Sequence, residues 1–251
     1  MQKYLIIENI VIVVGISVLS FISGMLGLGV AFSAIPFLGL FMGDLVHEIQ
    51  PLSLILNGIT ALLSALGFGK SGFIDWKKAI FLSIITTIFA PVGAYMVQLT
   101  DQKYVWIVYF ISVFYLVYRL FKPPKKFQEK ENFKLVTILA IPISVLSGFL
   151  GVGPGFLLMP TLIIFGFEPK KAAGINAFAV CPPSFSSLIL HINTARLNIP
   201  LTLILVVVGS LFSFLGARTT SRFVAGVRIK QIFAILILVV CGYKIYTLFF
   251  K

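Results

Sequence analysis

The stretch Ser147 to Phe156, SGFLGVGPGF, puts four glycines and a proline inside 33 residues, Leu135 to Phe167, that carry no charged side chain. An apolar run of this kind belongs in a bilayer, whose hydrocarbon core of ~30 Å takes about 20 residues of helix. This run is too long for one crossing and too short for two crossings and a turn. The same misfit recurs over 9–43, which as a single helix would measure about 52 Å at a rise of 1.5 Å per residue. Each run is therefore read as a helix, a break at the glycines and a second, shorter helix that ends inside the membrane, at Val30 to Met42 and at Phe156 to Phe165. Glycine supplies the turn, and Pro154 suits the first turn of the second short helix, where a missing N–H costs nothing.

The rest of the chain agrees with a membrane setting. It is 59% hydrophobic and only 11% charged, against roughly a quarter charged in soluble domains. Further charge-free spans cover 49–69, 79–100, 104–118, 172–195, 197–217 and 231–243. They are read as helices, because a helix satisfies its own backbone in lipid and no alternating barrel pattern is present. The opening apolar run continues to Gly43 with no small-x-small cleavage site, so it is read as a span and not a leader. Cys181 and Cys241 both sit in apolar runs, which gives neither a disulfide framework nor a metal pair. A net charge of +12 is what cytoplasmic loops produce and does not call for nucleic acid.

Those loops order the chain. SGMLGLGVAF, Ser23 to Phe32, matches SGFLGVGPGF at six of ten positions with a shift of 124, and the same shift pairs Pro36 with Pro160 and Phe41 with Phe165. A shift of 123 pairs Gly93-Ala94 with Gly216-Ala217. The chain is thus read as a first repeat over 1–121, a cytoplasmic linker over 122–134 and a second repeat over 135–251. Each repeat holds about five membrane segments: a glycine-broken hairpin and then three spans, near 49–68, 77–98 and 103–121 in the first. An odd number inverts the second copy, as in many secondary transporters. With both termini external, 15 Lys and Arg fall inside and 5 outside; with each broken run taken as one crossing, the division is 13 to 7. The positive-inside rule favours the first arrangement. The fold expected is an all-α integral membrane protein of two inverted-topology repeats.

The paired glycine motifs, Pro36 and Pro160, and SGFIDW at 71–76 resemble the sulfite exporter TauE/SafE family of bacterial permeases over nearly the whole chain. The resemblance implies a multi-pass protein of the bacterial cytoplasmic membrane that transports small sulfur-containing anions such as sulfite or organosulfonates. It leaves the cargo within that class, the direction and the oligomeric state open. Gly29-Val30-Ala31 stands where the second copy has Gly153-Pro154-Gly155, so the resemblance does not imply that both halves take part equally.

The residues point to an anion on their own terms. A helix that begins at a break in the membrane presents free N–H groups and the positive end of its dipole. Two such ends, at Gly27, Gly29 and Ala31 and at Gly151, Gly153 and Gly155, can face each other and hold one small oxyanion without a buried Lys or Arg; the plainer reading is close helix packing. Asn57 and Asn176, in the spans that follow the short helices, either join that site or bond between helices. Cys181, Ser184 and Ser187 are candidates to line the path, Cys181 equally serving as a small filler, and Pro182-Pro183 should kink their helix. Asp75-Trp76 reads as a helix cap with an interface anchor, and His191 as a packing histidine. No Asp or Glu lies centrally in a span, so a carboxylate proton relay has no support. A rhomboid-like Gly-x-Ser-Gly turn and a His-Glu-x-x-His metal motif are both missing, so an enzyme is not expected, nor a metal or cofactor. The alternatives to a sulfur-anion permease are a carrier of another small anion and a non-transporting membrane scaffold.

Overall fold

The computed structural model describes residues 2–121 and 131–222, with 235, 238, 239, 241, 242 and 244–246 near the C-terminus. All regular structure among them is helical. The first half holds α1 (Gln2–Leu26), α2 (Ala31–Leu38), α3 (Gln50–Gly69), α4 (Trp76–Gln98) and α5 (Gln102–Phe121). The second holds α6 (Phe133–Leu150), α7 (Gly155–Ile164), α8 (Pro169–Ile189) and α9 (Ile199–Arg222). A π-helical turn, Leu45–Ile49, runs directly into α3. Among the described residues six helices, α1, α3 with its π-turn, α4, α6, α8 and α9, are long and apolar enough to cross a membrane.

Local chemistry sets the helix ends. Asp75 accepts a hydrogen bond from Lys78 N at the start of α4, and Asn132 accepts from Leu135 N at the start of α6. These are N-cap bonds of the kind the orphan donors of a first turn require. Both glycine breaks fall where expected, with one correction. The first short helix stops at Leu38 instead of Met42, and tight turns bonded from Gly39 N, Leu40 N and Phe41 N finish the run. In α8 the prolines do not interrupt the helix. Pro183 has no N–H for the carbonyl of Ala179, one turn earlier, and the Thr86 hydroxyl of α4 donates to that carbonyl at 3.1 Å.

The halves interlock. α1 packs along α9 and α6 along α4, while α3 packs on α9 and α8 on α4; α3 and α8 also meet each other at the centre. Every large crossing thus has a counterpart in the other half. The closest approaches are made by glycines. A methyl at Gly24 would overlap the Ser213 carbonyl and one at Gly216 the Phe21 carbonyl; a methyl at Gly148 would overlap the Ala90 carbonyl and one at Gly93 the Val145 carbonyl. These are the small-residue crossings that let helix backbones touch in lipid. Outward, α4 shows Ile80, Ile84, Ile88 and Val92, and α9 shows Leu203, Val207, Leu211 and Leu215, exposed apolar rows at every fourth residue that suit a lipid-facing surface.

Polar groups collect at two ends. At one, Lys78 pairs with Glu131 and with Asp75 (3.3 Å), and Lys171 pairs with Glu131 (2.9 Å), which ties the starts of α4, α6 and α8 together. At the other, Asp44 pairs with His47 (2.8 Å), Gln102 accepts from Leu45 N, and His47 O accepts from Arg196 N. Most of the 122–134 linker and of the 231–243 span lies outside the described residues.

Candidate functional site

The two breaks share one backbone. Gly27 and Gly29 have φ of +63° and +74°, and Gly151 and Gly153 have +68° and +33°, a region costly for any residue with a Cβ. α1 closes with Gly27 N bonded to Gly24 O and Leu28 N to Ser23 O; α6 closes with Gly151 N bonded to Gly148 O and Val152 N to Ser147 O. The same capping pattern therefore serves both helices. Within each motif the glycines divide the work: Gly24 and Gly148 allow close crossings, and the later ones turn the chain.

The structure brings the breaks together. Phe32 and Phe156, each second in its short helix, stack with ring centroids 4.5 Å apart. The space a Cβ on Gly155 would need lies 2.5 Å from Leu28 O of the other break. Asn57 touches both breaks: a methyl on Gly29 would meet its Oδ1, and one on Gly153 its Nδ2. Tyr109 of α5 braces the centre by donating to Phe32 O. The N-terminal ends of α2 and α7 thus meet at the middle of the molecule.

Asn57 and Asn176 are each the eighth residue of their helices, α3 and α8, yet they bond differently. Asn57 Oδ1 accepts from Ala31 N at 3.0 Å, and its Nδ2 donates to Ser184 Oγ at 2.9 Å. Asn176 Nδ2 donates to Gly27 O, while its Oδ1 is buried without a partner among the described residues. Both amide orientations are fixed by the backbone groups they face, since a carbonyl only accepts and an N–H only donates. Gln50 behaves like Asn176: its side chain packs on Gly151, its Nε2 donates to Phe149 O at 3.2 Å, and its Oε1 is buried and unpartnered.

Of the residues expected at the site, Gly27, Gly29, Ala31, Gly151, Gly153, Gly155, Asn57, Asn176 and Ser184 come together here. Cys181 packs in a small apolar cluster with Ala61 and Val180, and Ser187 is buried further along α8. His191 is buried, with Nδ1 2.9 Å from Gln98 Nε2 and 3.2 Å from Val46 O; the ring tautomer takes one of the two, accepting from the amide or donating to the carbonyl. Sequence reasoning missed a stripe on α3. Gln50, Ser53, Asn57, Thr60 and Ser64 recur at alternate spacings of three and four, so they share one helix face, and each is at most 1% exposed. The spacing was visible in the sequence, but Ser and Thr in an apolar helix read as small fillers.

Among the described residues no Lys, Arg, Asp or Glu is buried. The central field therefore comes from backbone and amide dipoles. The breaks are enclosed, with Gly27 to Ala31 and Gly151 to Gly155 all buried. A surface depression of about 390 Å³ lies at the Asp44 end, beside His47, Gln98 and Gln102.

Comparison with known proteins gives the chain a family. The profile described as sulfite exporter TauE/SafE matches residues 11–243. A probable membrane transporter protein of Xylella fastidiosa is 24% identical, with 96% of each chain covered. A probable membrane transporter protein of Methanocaldococcus jannaschii is 21% identical, with 88% of this chain and 89% of its own covered. No solved structure matches the chain. The chain belongs to the sulfite exporter TauE/SafE family, a multi-pass membrane protein of the transporter class.

Proposed function

We propose that this TauE/SafE family member carries small sulfur-containing anions, such as sulfite or organosulfonates, across the bacterial cytoplasmic membrane, and that it is a carrier and not an enzyme. The observation that carries the reading is the meeting of two half-helix N-termini at an enclosed centre free of buried charge. Such ends offer N–H donors and positive dipoles to an anion, and paired broken helices mark the site in other carriers. The binding surface is formed by Gly27, Gly29, Ala31, Gly151, Gly153 and Gly155, with Asn57 and Asn176 beside it. Asn57 Oδ1 rests on Ala31 N, the place an anion oxygen would take, so an anion bound there displaces that side chain.

Inverted repeats over 1–121 and 135–251, with both termini external, are part of the same reading. Its support is that α6 begins at the Lys78–Glu131 end, whereas Glu8 and Asn9 of α1 line a depression with Arg196 at the opposite end. Cysteines placed at Ser71 and at Asn193 should then label from the inside and the outside of intact cells, respectively; labelling from one side for both removes the topology. Transport is tested in proteoliposomes by counterflow of labelled sulfite, competed by sulfate, organosulfonates and carboxylates. Counterflow competed by none of the sulfur oxyanions would reject the substrate class.

A further inference from the structure

The geometry points to a ligand that is a hydrogen-bond donor as well as an anion: a singly protonated oxyanion held with its proton on Asn176 Oδ1. The inference rests on the reading of the glycine breaks as the anion site and narrows the substrate to one protonation state.

Asn176 is wholly buried, and its carboxamide lies at the start of α7, with Nδ2 2.9 Å from the place of a Cβ on Gly155. Because Nδ2 is committed to Gly27 O, the oxygen is the atom left over. A buried carbonyl oxygen without a donor is unfavourable, and such an exception calls for an explanation. Gln50 Oε1 repeats the pattern at Gly151, with its nitrogen likewise committed to a carbonyl. Both leftover atoms accept hydrogen bonds and neither donates. A fully deprotonated oxyanion offers only acceptors, so it would set lone pairs against lone pairs at Asn176. A monoanion carrying an O–H satisfies the helix N–H groups with its charged oxygens and the amide oxygen with its proton. Hydrogen sulfite, in the form with its proton on oxygen, has this chemistry. The dianion and the proton-free monoanions do not. The first break shows the contrast, since Asn57 has both amide atoms engaged.

The consequence is that a proton travels with the cargo, without a titrating carboxylate in the membrane. The test compares hydrogen sulfite with chlorate, a pyramidal monoanion of similar size that has no proton to give, by calorimetric titration of the purified protein. Wild type should bind hydrogen sulfite at least about tenfold more tightly, as sites built around a substrate hydroxyl discriminate. Its affinity for total sulfite should fall as pH rises through the loss of the hydrogen sulfite proton, with chlorate binding unchanged. In Asn176→Ala the preference should shrink to within about twofold. Equal binding of both anions by wild type, or a preference that survives in Asn176→Ala, overturns the proposal while leaving the anion site standing. Binding of neither anion by wild type overturns the anion site and this inference with it. The wild-type comparison decides the matter even if the variant does not fold.

Discussion

The break at Gly27–Ala31 and the break at Gly151–Gly155 have the same positive-φ turns and the same helix closures, but they keep different company. At the first, Asn57 caps the new helix and bonds across to Ser184, so each of its polar atoms is satisfied. At the second, Asn176 and Gln50 leave two acceptors buried and without a partner among the described residues. The sequence difference follows the same line. Gly155 is approached by the Leu28 carbonyl and has no room for a methyl, whereas its counterpart Ala31 carries one. The backbone of the two breaks is shared, and their hydrogen bonds are not. One half-site rests closed on itself, and the other holds unmet polar capacity.

The largest test of that contrast is Gly29→Ala against Gly153→Ala. Both force a Cβ into a left-handed turn and into Asn57, so each should lower sulfite transport by about a hundredfold with normal membrane expression, measured by counterflow. Wild-type rates in both would dissolve the site; loss in one alone would make the halves unequal in function as well as in bonding. Next come the crossings, where the halves should behave alike. Gly148→Ala and Gly24→Ala each overlap a backbone carbonyl, and each should reduce stability in detergent by about 1–3 kcal/mol. A large effect from only one would show that the asymmetry extends to packing.

The paired asparagines should then differ. Asn57→Ala strands Ala31 N and removes the link to Ser184, at a loss of about 1–3 kcal/mol in thermal unfolding. Asn176→Ala strands the Gly27 carbonyl but removes the unmet Oδ1 with it, so its loss should be smaller than that of Asn57→Ala. Equal losses would erase the contrast. The smallest effect lies away from both breaks. Burial acts to raise the Glu131 carboxyl, but hydrogen bonds from Lys78 and Lys171 outweigh it and hold the group below its ordinary value of 4.5. A lowered folded value means that the pairing contributes stability above the ordinary value and loses it as pH falls toward the lowered one. Glu131→Gln should therefore reduce stability by no more than about 1 kcal/mol at neutral pH, a difference that fades in acid, and should leave the preference for hydrogen sulfite over chlorate intact.

The breaks were legible in the sequence because a charge-free run of the wrong length is a local fact, and the 124-residue shift confirmed that it occurs twice. Span boundaries were legible to within a few residues for the same reason, as α3 and α4 show. The crosswise pairing of α1 with α9 and α6 with α4 was not. Gly93-Ala94 and Gly216-Ala217 marked the contact positions, but nothing local says which helix a glycine will meet. The unbroken course of α8 through Pro182-Pro183 also depended on a hydroxyl from another helix. Asn57 and Asn176 were found as polar residues in apolar spans, whereas their unlike bonding depends on the groups opposite each one.

The crossing of α1 with α9 has a consequence for how the chain is made. Leu26, at the end of α1, precedes Ile199, at the start of α9, by 173 positions. At about 5–20 residues per second of synthesis, α1 waits roughly ten to thirty seconds in the bilayer before its partner leaves the ribosome, with the groove around Gly24 filled only by lipid. α4 meets α6 far sooner, across the short stretch from Gln98 to Phe133. Assembly should therefore begin between α4 and α6 and finish at α1, and a nascent chain stopped before α9 would be inserted but would leave α1 without its main packing partner.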